Sequence, residues 1–213
     1  MSNSIADIRT DYRMKSFLEA DAATDPYTQF GHWWLEAVES KIEEVNAMTL
    51  ATASADGFPS ARIVLLKGYD KNGFVFFTNY NSQKGQEIAA NPKACLLFFW
   101  KELERQVRID GSIEKVSAEE SEIYFKSRPV GSRIGAWCSP QSSVIADRSI
   151  LDKNVAHYTN KFNAQEVPRP DHWGGYIVKP TSIEFWQGRS SRLHDRLRYT
   201  AKPEGWKLER LAP

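Results

Sequence analysis

Cysteine is scarce in this 213-residue chain. Only Cys95 and Cys138 occur, too few for a disulfide framework and not spaced as metal ligands, so both read as small buried apolar groups. Histidine is scattered as His32, His157, His172 and His194, with no HExxH or comparable ligand pattern. An excess of one charge is missing too: Lys plus Arg is 28 against 27 for Asp plus Glu, a net charge of +1. No global field therefore draws in nucleic acid or an acidic membrane, and any anion site must be local. No window is apolar enough for a membrane span. The first twenty residues carry charges throughout and lack the apolar core of a signal peptide. The expectation is a soluble, cytoplasmic protein that binds neither nucleic acid nor membrane. The phosphate-binding motifs GxGxxG and GxxxxGK[ST] and the GxSxG elbow are also absent. With metals and side-chain nucleophiles poorly supported, a bound organic cofactor is left to carry any redox or transfer chemistry.

What is present reads as one domain. Residues 1–25 are polar and weakly periodic, an arm or lid, and residues 26–213 form the body. "DPYTQFGHWWLEAVESKIEE" predicts a helix entered at Pro26, with Tyr27, Phe30, Trp34, Val38 and Ile42 at helical spacing. "AMTLATAS" and "PSARIVLLK" predict a hairpin around "ADG", and "GFVFFTN", "ACLLFFW" and "QVRIDGSIEKV" predict further strands. "SQKGQEIAAN" is a short helix with Ser82 as N-cap, stopped by Pro92. "SAEE" fits a capping box for a helix running to about Ser127. "GSRIGAWCS" and "DRSILDKNVAHYTNKF" predict two more helices, and the tail predicts three or four antiparallel strands. Many short strands with few crossover helices favour an antiparallel barrel decorated by helices.

The local positive charge falls in four places. In "RIVLLK", Arg62 and Lys67 differ in parity, so on a regular strand they point to opposite faces and serve different ligands, unless a bulge intervenes. The plain alternative is a buried strand with solvated ends. In "SQKG", Lys84 lies in the first turn of a helix, where it opposes the helix dipole and an anion would relieve the conflict. In "YFKSRPVGS", Tyr124 and Arg128 are four apart on a predicted helix and Ser132 follows, a second anion cradle unless the pair is a surface contact. In "IEFWQGRSSRLHDR", an extended chain after the loop would put Arg192, His194 and Arg196 on one face, with Leu193 and Asp195 on the other. The competing reading is a salt-bridged edge strand with Asp195 and Glu184 as partners. "QSS" at Gln141 to Ser143 is by itself turn composition.

"IEFWQGRSSRLHDR" resembles, residue for residue, the signature of the pyridoxine/pyridoxamine 5′-phosphate oxidases. "RIVLLK", "FFTN", "ERQVRI", "SRPVGSRIGAW", "QSS", "WGGY" and the terminal "RLAP" resemble that family in the same order. The resemblance implies a mainly β fold, an FMN-binding split β-barrel of antiparallel strands with peripheral helices, working as a homodimer with FMN between subunits. It implies oxidation of pyridoxine or pyridoxamine 5′-phosphate to pyridoxal 5′-phosphate, with O2 as electron acceptor and H2O2 as product. Arg62 and Lys84 would hold the FMN phosphate with Gln141 and Ser142. The flavin would be lined by Ile63, Val64, Leu65, Leu66, Lys67, Phe77 and Thr78 and completed by Gln106, Trp186 and Arg196. Lys67, Tyr124, Arg128 and Ser132 would grip the substrate phosphate, with Arg192, Leu193 and His194 at its ring and Arg9 and Tyr12 in the lid. Arg192 and His194 are the catalytic candidates. His194 would accept a proton from the alcohol or ammonium, against a pKa lowered by Arg192. Gln83 departs from the family, many of whose members carry arginine there. Losing one charge-assisted contact of about 1.5–3 kcal/mol would loosen the cofactor. Two other readings remain open: a related split-barrel flavin oxidase acting on another ring, such as a phenazine precursor, and a non-catalytic module that binds flavin or pyridoxal phosphate.

Overall fold

The computed structural model describes residues 4–5, 11–163 and 165–213. Arg9, read as part of the lid, lies outside the described residues. Five α-helices are present among them, besides short 3₁₀ turns: α1 (Pro26–Glu39), α2 (Gln83–Ala90), α3 (Ala118–Ser127), α4 (Val130–Cys138) and α5 (Ser149–Lys161). Nine strands accompany them: β1 (Ala47–Ala53), β2 (Pro59–Leu65), β3 (Gly68–Asp70), β4 (Gly73–Asn79), β5 (Lys93–Trp100), β6 (Arg105–Lys115), β7 (Trp173–Gln187), β8 (Asp195–Lys202) and β9 (Gly205–Arg210). They join in the order β2-β1-β5-β6-β7-β4-β3, with β8 on β7 and β9 on β8. The pairs β3–β4, β4–β7, β7–β8 and β8–β9 are antiparallel. The chain divides into two compact units, the first comprising Met1–Leu50, Cys95–Gly111 and Pro180–Pro213, the second Ala51–Ala94 and Ser112–Lys179.

The first unit is built on aromatic packing. Asp25 caps α1 by accepting from the backbone N–H groups of Tyr27 and Thr28, and Pro26 fits the first turn, where no N–H is needed. The buried face of α1 is Phe30, Trp33 and Ala37, a stripe shifted from the expected Tyr27, Trp34, Val38 and Ile42. Val38 is exposed, and Ile42 lies beyond the helix end. The shift follows from the partners: Trp33 packs edge-on against Phe185 at 5.2 Å and Phe30 against Phe98 at 5.3 Å. Such ring pairs add to the area they bury. Arg105, almost fully buried, lies over Trp33 at 4.3 Å and donates to Gln187 and Glu36, so its charge is paired and stacked together.

In the second unit the caps expected from sequence are in place. The Ser82 hydroxyl accepts from the Gly85 N–H at the start of α2, and Ser117 accepts from the Glu120 N–H at the start of α3. Gly57, at φ 87°, makes the turn after β1 that only a residue without Cβ adopts readily. β4 runs against β7 from Phe74 opposite Val178 to Asn79 opposite Trp173. Phe74, Phe76, Phe125 and Val178 are wholly buried around this pairing. In "WGGY", Gly175 stands opposite Phe77, and a Cβ there would lie 2.7 Å from the Phe77 ring. Glycine therefore lets that ring lie flat on the strand.

Candidate active site

A cavity of about 840 Å³ opens in the second unit, lined entirely by its own residues. β2 contributes Arg62, Ile63, Val64 and Leu65, and β4 contributes Phe77 and Thr78. Lys67, Lys84, Tyr124, Arg128, Ser132 and Gln141 supply most of the polar lining, with Trp173 and Asn79 beside them. Arg62 and Lys67 thus share one cavity rather than taking opposite faces. β2 ends at Leu65, and the Lys67 N–H bonds to the Val75 carbonyl at 2.8 Å. The strict alternation assumed from parity stops before it reaches Lys67. Leu66, expected to line the flavin, turns inward and is 5% exposed.

One end of the polar lining is organised around Glu87. Its Oε2 accepts from the Thr52 and Ser60 hydroxyls and, at 3.2 Å, from Arg62 Nη2, while Oε1 accepts from Gln83 at 2.8 Å. Arg62 in turn donates to both hydroxyls. Burial alone would raise the Glu87 pKa, but the bonds from Ser60, Thr52, Gln83 and Arg62 outweigh it and hold the carboxyl at about 2. A folded pKa below the ordinary 4.5 means stability that is full above pH 4.5 and lost as pH falls towards 2. Thermal melts through this window should show a downward slope that flattens in Glu87→Gln. An unchanged slope would remove Glu87 as an acid-sensitive element.

Lys84 lies beside this cluster and is 9% exposed. Its ammonium donates to Ser82 Oγ at 3.3 Å and Gln141 Oε1 at 3.1 Å. Among the described residues, no carboxylate comes within ion-pair distance of it. Burial lowers its pKa, with the nearby Arg62 charge adding to the effect and Glu87 opposing it. A buried ammonium without a counter-ion suits an anionic ligand. Gln83 points into the Glu87 network and is absent from the cavity lining. Ser142 follows Gln141 at φ 71° and is also absent from that lining.

The second group surrounds Arg128. This residue is the C-cap of α3, not part of its regular turns, yet both it and Tyr124 reach the cavity. The guanidinium lies over the Trp173 ring at 4.5 Å, and its Nη1 is buried with no hydrogen-bond partner. Burial pulls its pKa below the usual guanidinium value, partly offset by Tyr124. Phe77 stacks with Tyr124 at 4.0 Å and with Trp173 at 5.6 Å, and those two rings stack with each other at 6.2 Å. An orphaned guanidinium N–H on a rigid aromatic wall, with the Lys67 ammonium and the Ser132 hydroxyl on the same cavity, is a seat for a doubly charged oxyanion.

The remaining expected site residues belong to the first unit and do not line this cavity. The extended course predicted for Arg192 to Arg196 is not found. Ser190–Arg192 is a 3₁₀ turn with Ser191 and Arg192 at φ 56° and 61°, and β8 starts only at Asp195. The turn breaks the alternation, and Leu193 is left 70% exposed. His194 packs on Trp186 at 4.6 Å, and Tyr12 packs on both rings at 6.1 and 5.8 Å. The Arg189 N–H donates to His194 Nδ1 at 3.1 Å, so the neutral ring carries its proton on Nε2. Burial lowers the His194 pKa, as do the charges of Arg192 and Arg196. The salt-bridged reading also holds in part. Arg196 Nε pairs with Glu184 at 2.7 Å, and Asp195 pairs with Arg189 and Arg210. Gln106 lies near the start of β6, partly buried.

Glu87 and Trp173 were not anticipated from sequence. The signal for Glu87 was its i,i+4 spacing from Gln83. Arg62 and Ser60 share one strand face, but the Thr52 partner becomes visible only with the hairpin register.

A family profile for pyridoxamine 5′-phosphate oxidase matches residues 35–162. The chain belongs to the pyridoxamine 5′-phosphate oxidase family. A second profile, the pyridoxine 5′-phosphate oxidase C-terminal dimerisation region, matches residues 173–213. The pyridoxine/pyridoxamine 5′-phosphate oxidases of Burkholderia multivorans and Trichormus variabilis are 59% and 55% identical, over 99% and 100% of both chains. The crystal structure of PhzG from Burkholderia lata 383, in complex with tetrahydrophenazine-1-carboxylic acid, matches at TM-score 0.86. It is 31% identical and covers 91% of this chain and 95% of that one. A pyridoxamine 5′-phosphate oxidase-related, FMN-binding protein from Nostoc punctiforme matches at TM-score 0.71 and 16% identity, covering 90% of this chain and 100% of that one. It shows the fold alone. The oxidase family is one of oxidoreductases, and the split-barrel fold expected from sequence is the fold found.

Proposed function

We propose that this protein is an FMN-dependent oxidase that forms pyridoxal 5′-phosphate from pyridoxine 5′-phosphate or pyridoxamine 5′-phosphate. The balance for the alcohol is substrate plus O2 giving aldehyde plus H2O2. For the amine, water also enters and ammonia leaves. The observation that carries the reading is the unpaired, buried Nη1 of Arg128 in a cavity that also holds Lys67, Tyr124 and Ser132. It supports a seat for the substrate phosphate in addition to the one at Arg62 and Lys84. Bound FMN would supply the two-electron acceptor that O2 then reoxidises.

The chain's own residues orient and desolvate. Arg62, Lys84 and Gln141 would hold the FMN phosphate, with Ser142 beside them. Ile63 to Lys67, Phe77 and Thr78 would flank the ring. Arg128, Lys67, Tyr124 and Ser132 would fix one end of the substrate, and Arg192, Leu193 and His194 the other. With Nδ1 occupied by the Arg189 N–H, His194 would donate from Nε2 to an oxygen on the substrate ring rather than act as the base. Tyr12, against Trp186 and His194, supports a covering role for the arm. Gln106, Trp186 and Arg196 would reach the flavin from the other copy of the chain in a homodimer, a reading the dimerisation region supports.

Purified protein should be yellow and should bleach on addition of pyridoxine 5′-phosphate without oxygen. Arg192→Leu should keep the colour but lose turnover, and unchanged turnover would remove Arg192 from the mechanism. The likeness to PhzG supports a second reading, oxidation of a phenazine precursor. Turnover of tetrahydrophenazine-1-carboxylic acid with none of the phosphorylated vitamin would favour it. Flavin binding with no peroxide under air would instead indicate a non-catalytic module.

A further inference from the structure

Glu87 lies behind the anion seat and makes no contribution to its lining. Its four hydrogen bonds have a direction. Arg62 Nη1 donates to Thr52 Oγ1 and Nη2 to Ser60 Oγ, and each hydroxyl donates its own O–H to Glu87 Oε2. Arg62 Nη2 also reaches that oxygen directly at 3.2 Å. The guanidinium is therefore fixed at three points, and every polarised hydroxyl runs towards one carboxylate. Arg62 is one-fifth exposed and Glu87 about one-tenth at their side chains, so solvent screens the arrangement little.

We propose that Glu87 is a positioning residue for phosphate recognition, aiming Arg62 at the phosphate of a bound flavin nucleotide. The inference rests on the FMN reading above. Two opposing effects decide its sign. A carboxylate near the seat repels a phosphate, whereas a fixed guanidinium grips it. The repulsion acts across an intervening cation, and the grip depends on geometry that the carboxylate supports directly and through the two hydroxyls. A glutamine at position 87 removes the negative charge and one of the two acceptor oxygens, so the bonds that hold Arg62 lose their charge assistance and the guanidinium is aimed less firmly. Positioning outweighs repulsion. Gln83, on the other carboxylate oxygen, completes the clamp without touching the seat.

The test is the affinity of apoprotein for FMN and for riboflavin, read by quenching of flavin fluorescence. Riboflavin lacks the phosphate, so the ratio of the two affinities isolates phosphate recognition from general damage to the site. Wild type should prefer FMN. Glu87→Gln should lose about tenfold or more of that preference, the scale of one charge-assisted hydrogen bond, with riboflavin affinity nearly unchanged. Thr52→Val, which removes one relay hydroxyl, should lose a smaller part of it. A folded Glu87→Gln that retains the wild-type ratio, or binds FMN more tightly, overturns the proposal while the FMN reading stands. If wild type itself shows no preference for FMN, the FMN reading fails first. If Glu87→Gln does not fold, the ratio in Thr52→Val decides.

Discussion

Arg128→Met should raise the KM for pyridoxine 5′-phosphate about a hundredfold, with a much smaller change in kcat and no loss of bound flavin. Methionine fills much of the space over Trp173 but brings no charge and no N–H. Two charge-assisted bonds to one phosphate contribute about 3 kcal/mol together, which corresponds to roughly that factor. The phosphate is remote from the reacting carbon, so its grip should stabilise ground and transition states alike and appear in KM. Steady-state kinetics on the phosphorylated and unphosphorylated alcohols would check it, since the mutation should hardly affect the latter. A KM within threefold of wild type would show that Arg128 does not hold the substrate phosphate.

The second large effect is expected at Gly85. A Cβ there would lie 2.1 Å from the Tyr80 carbonyl oxygen and 2.5 Å from its carbon. Both are backbone atoms and cannot rotate aside, so in Gly85→Ala the helix α2 must move. Overpacking of this kind costs about 1–3 kcal/mol. The movement would carry Lys84 and the Ser82 cap with it, because the cap bond ends on the Gly85 N–H. The melting temperature should fall by several degrees and FMN affinity by at least tenfold. A variant that melts like wild type and binds FMN normally would mean that α2 has room to shift without disturbing the seat.

The two seats were legible in the sequence to different depths. Lys84 could be placed because Ser82 and Pro92 bracket a helix with few alternatives. Tyr124, Arg128 and Ser132 could be grouped because a capping box and a proline fix where α3 ends. A regular period misplaces residues once it is extended past an element's end. Lys67 lies beyond the last residue of β2, and Arg192 sits in a left-handed turn that alternation cannot represent. The phase of α1 is hidden for a related reason: Trp33 and Trp34 are equally apolar, and the tertiary neighbours Phe17, Phe185 and Arg105 select Trp33. The spacing from Gln83 marks Glu87 only weakly, because its meaning depends on Thr52 and Ser60 meeting it from a hairpin, and that meeting is tertiary.

The convergence of Thr52, Ser60, Arg62 and Gln83 on one carboxylate also constrains how this part of the sequence can drift. Losing Thr52, Ser60 or Glu87 leaves a donor unmet and losing Arg62 leaves the carboxylate without its cation, so their effects are strongly non-additive. Single replacements at positions 52, 60, 62 and 87 would be purged unless a compensating change is already present. Position 83 bonds the outer oxygen, so its replacement removes one bond and leaves the inner donors in place. Lineages should therefore exchange the inner four as a block, through rare paired steps, while the outer position changes in ordinary single steps.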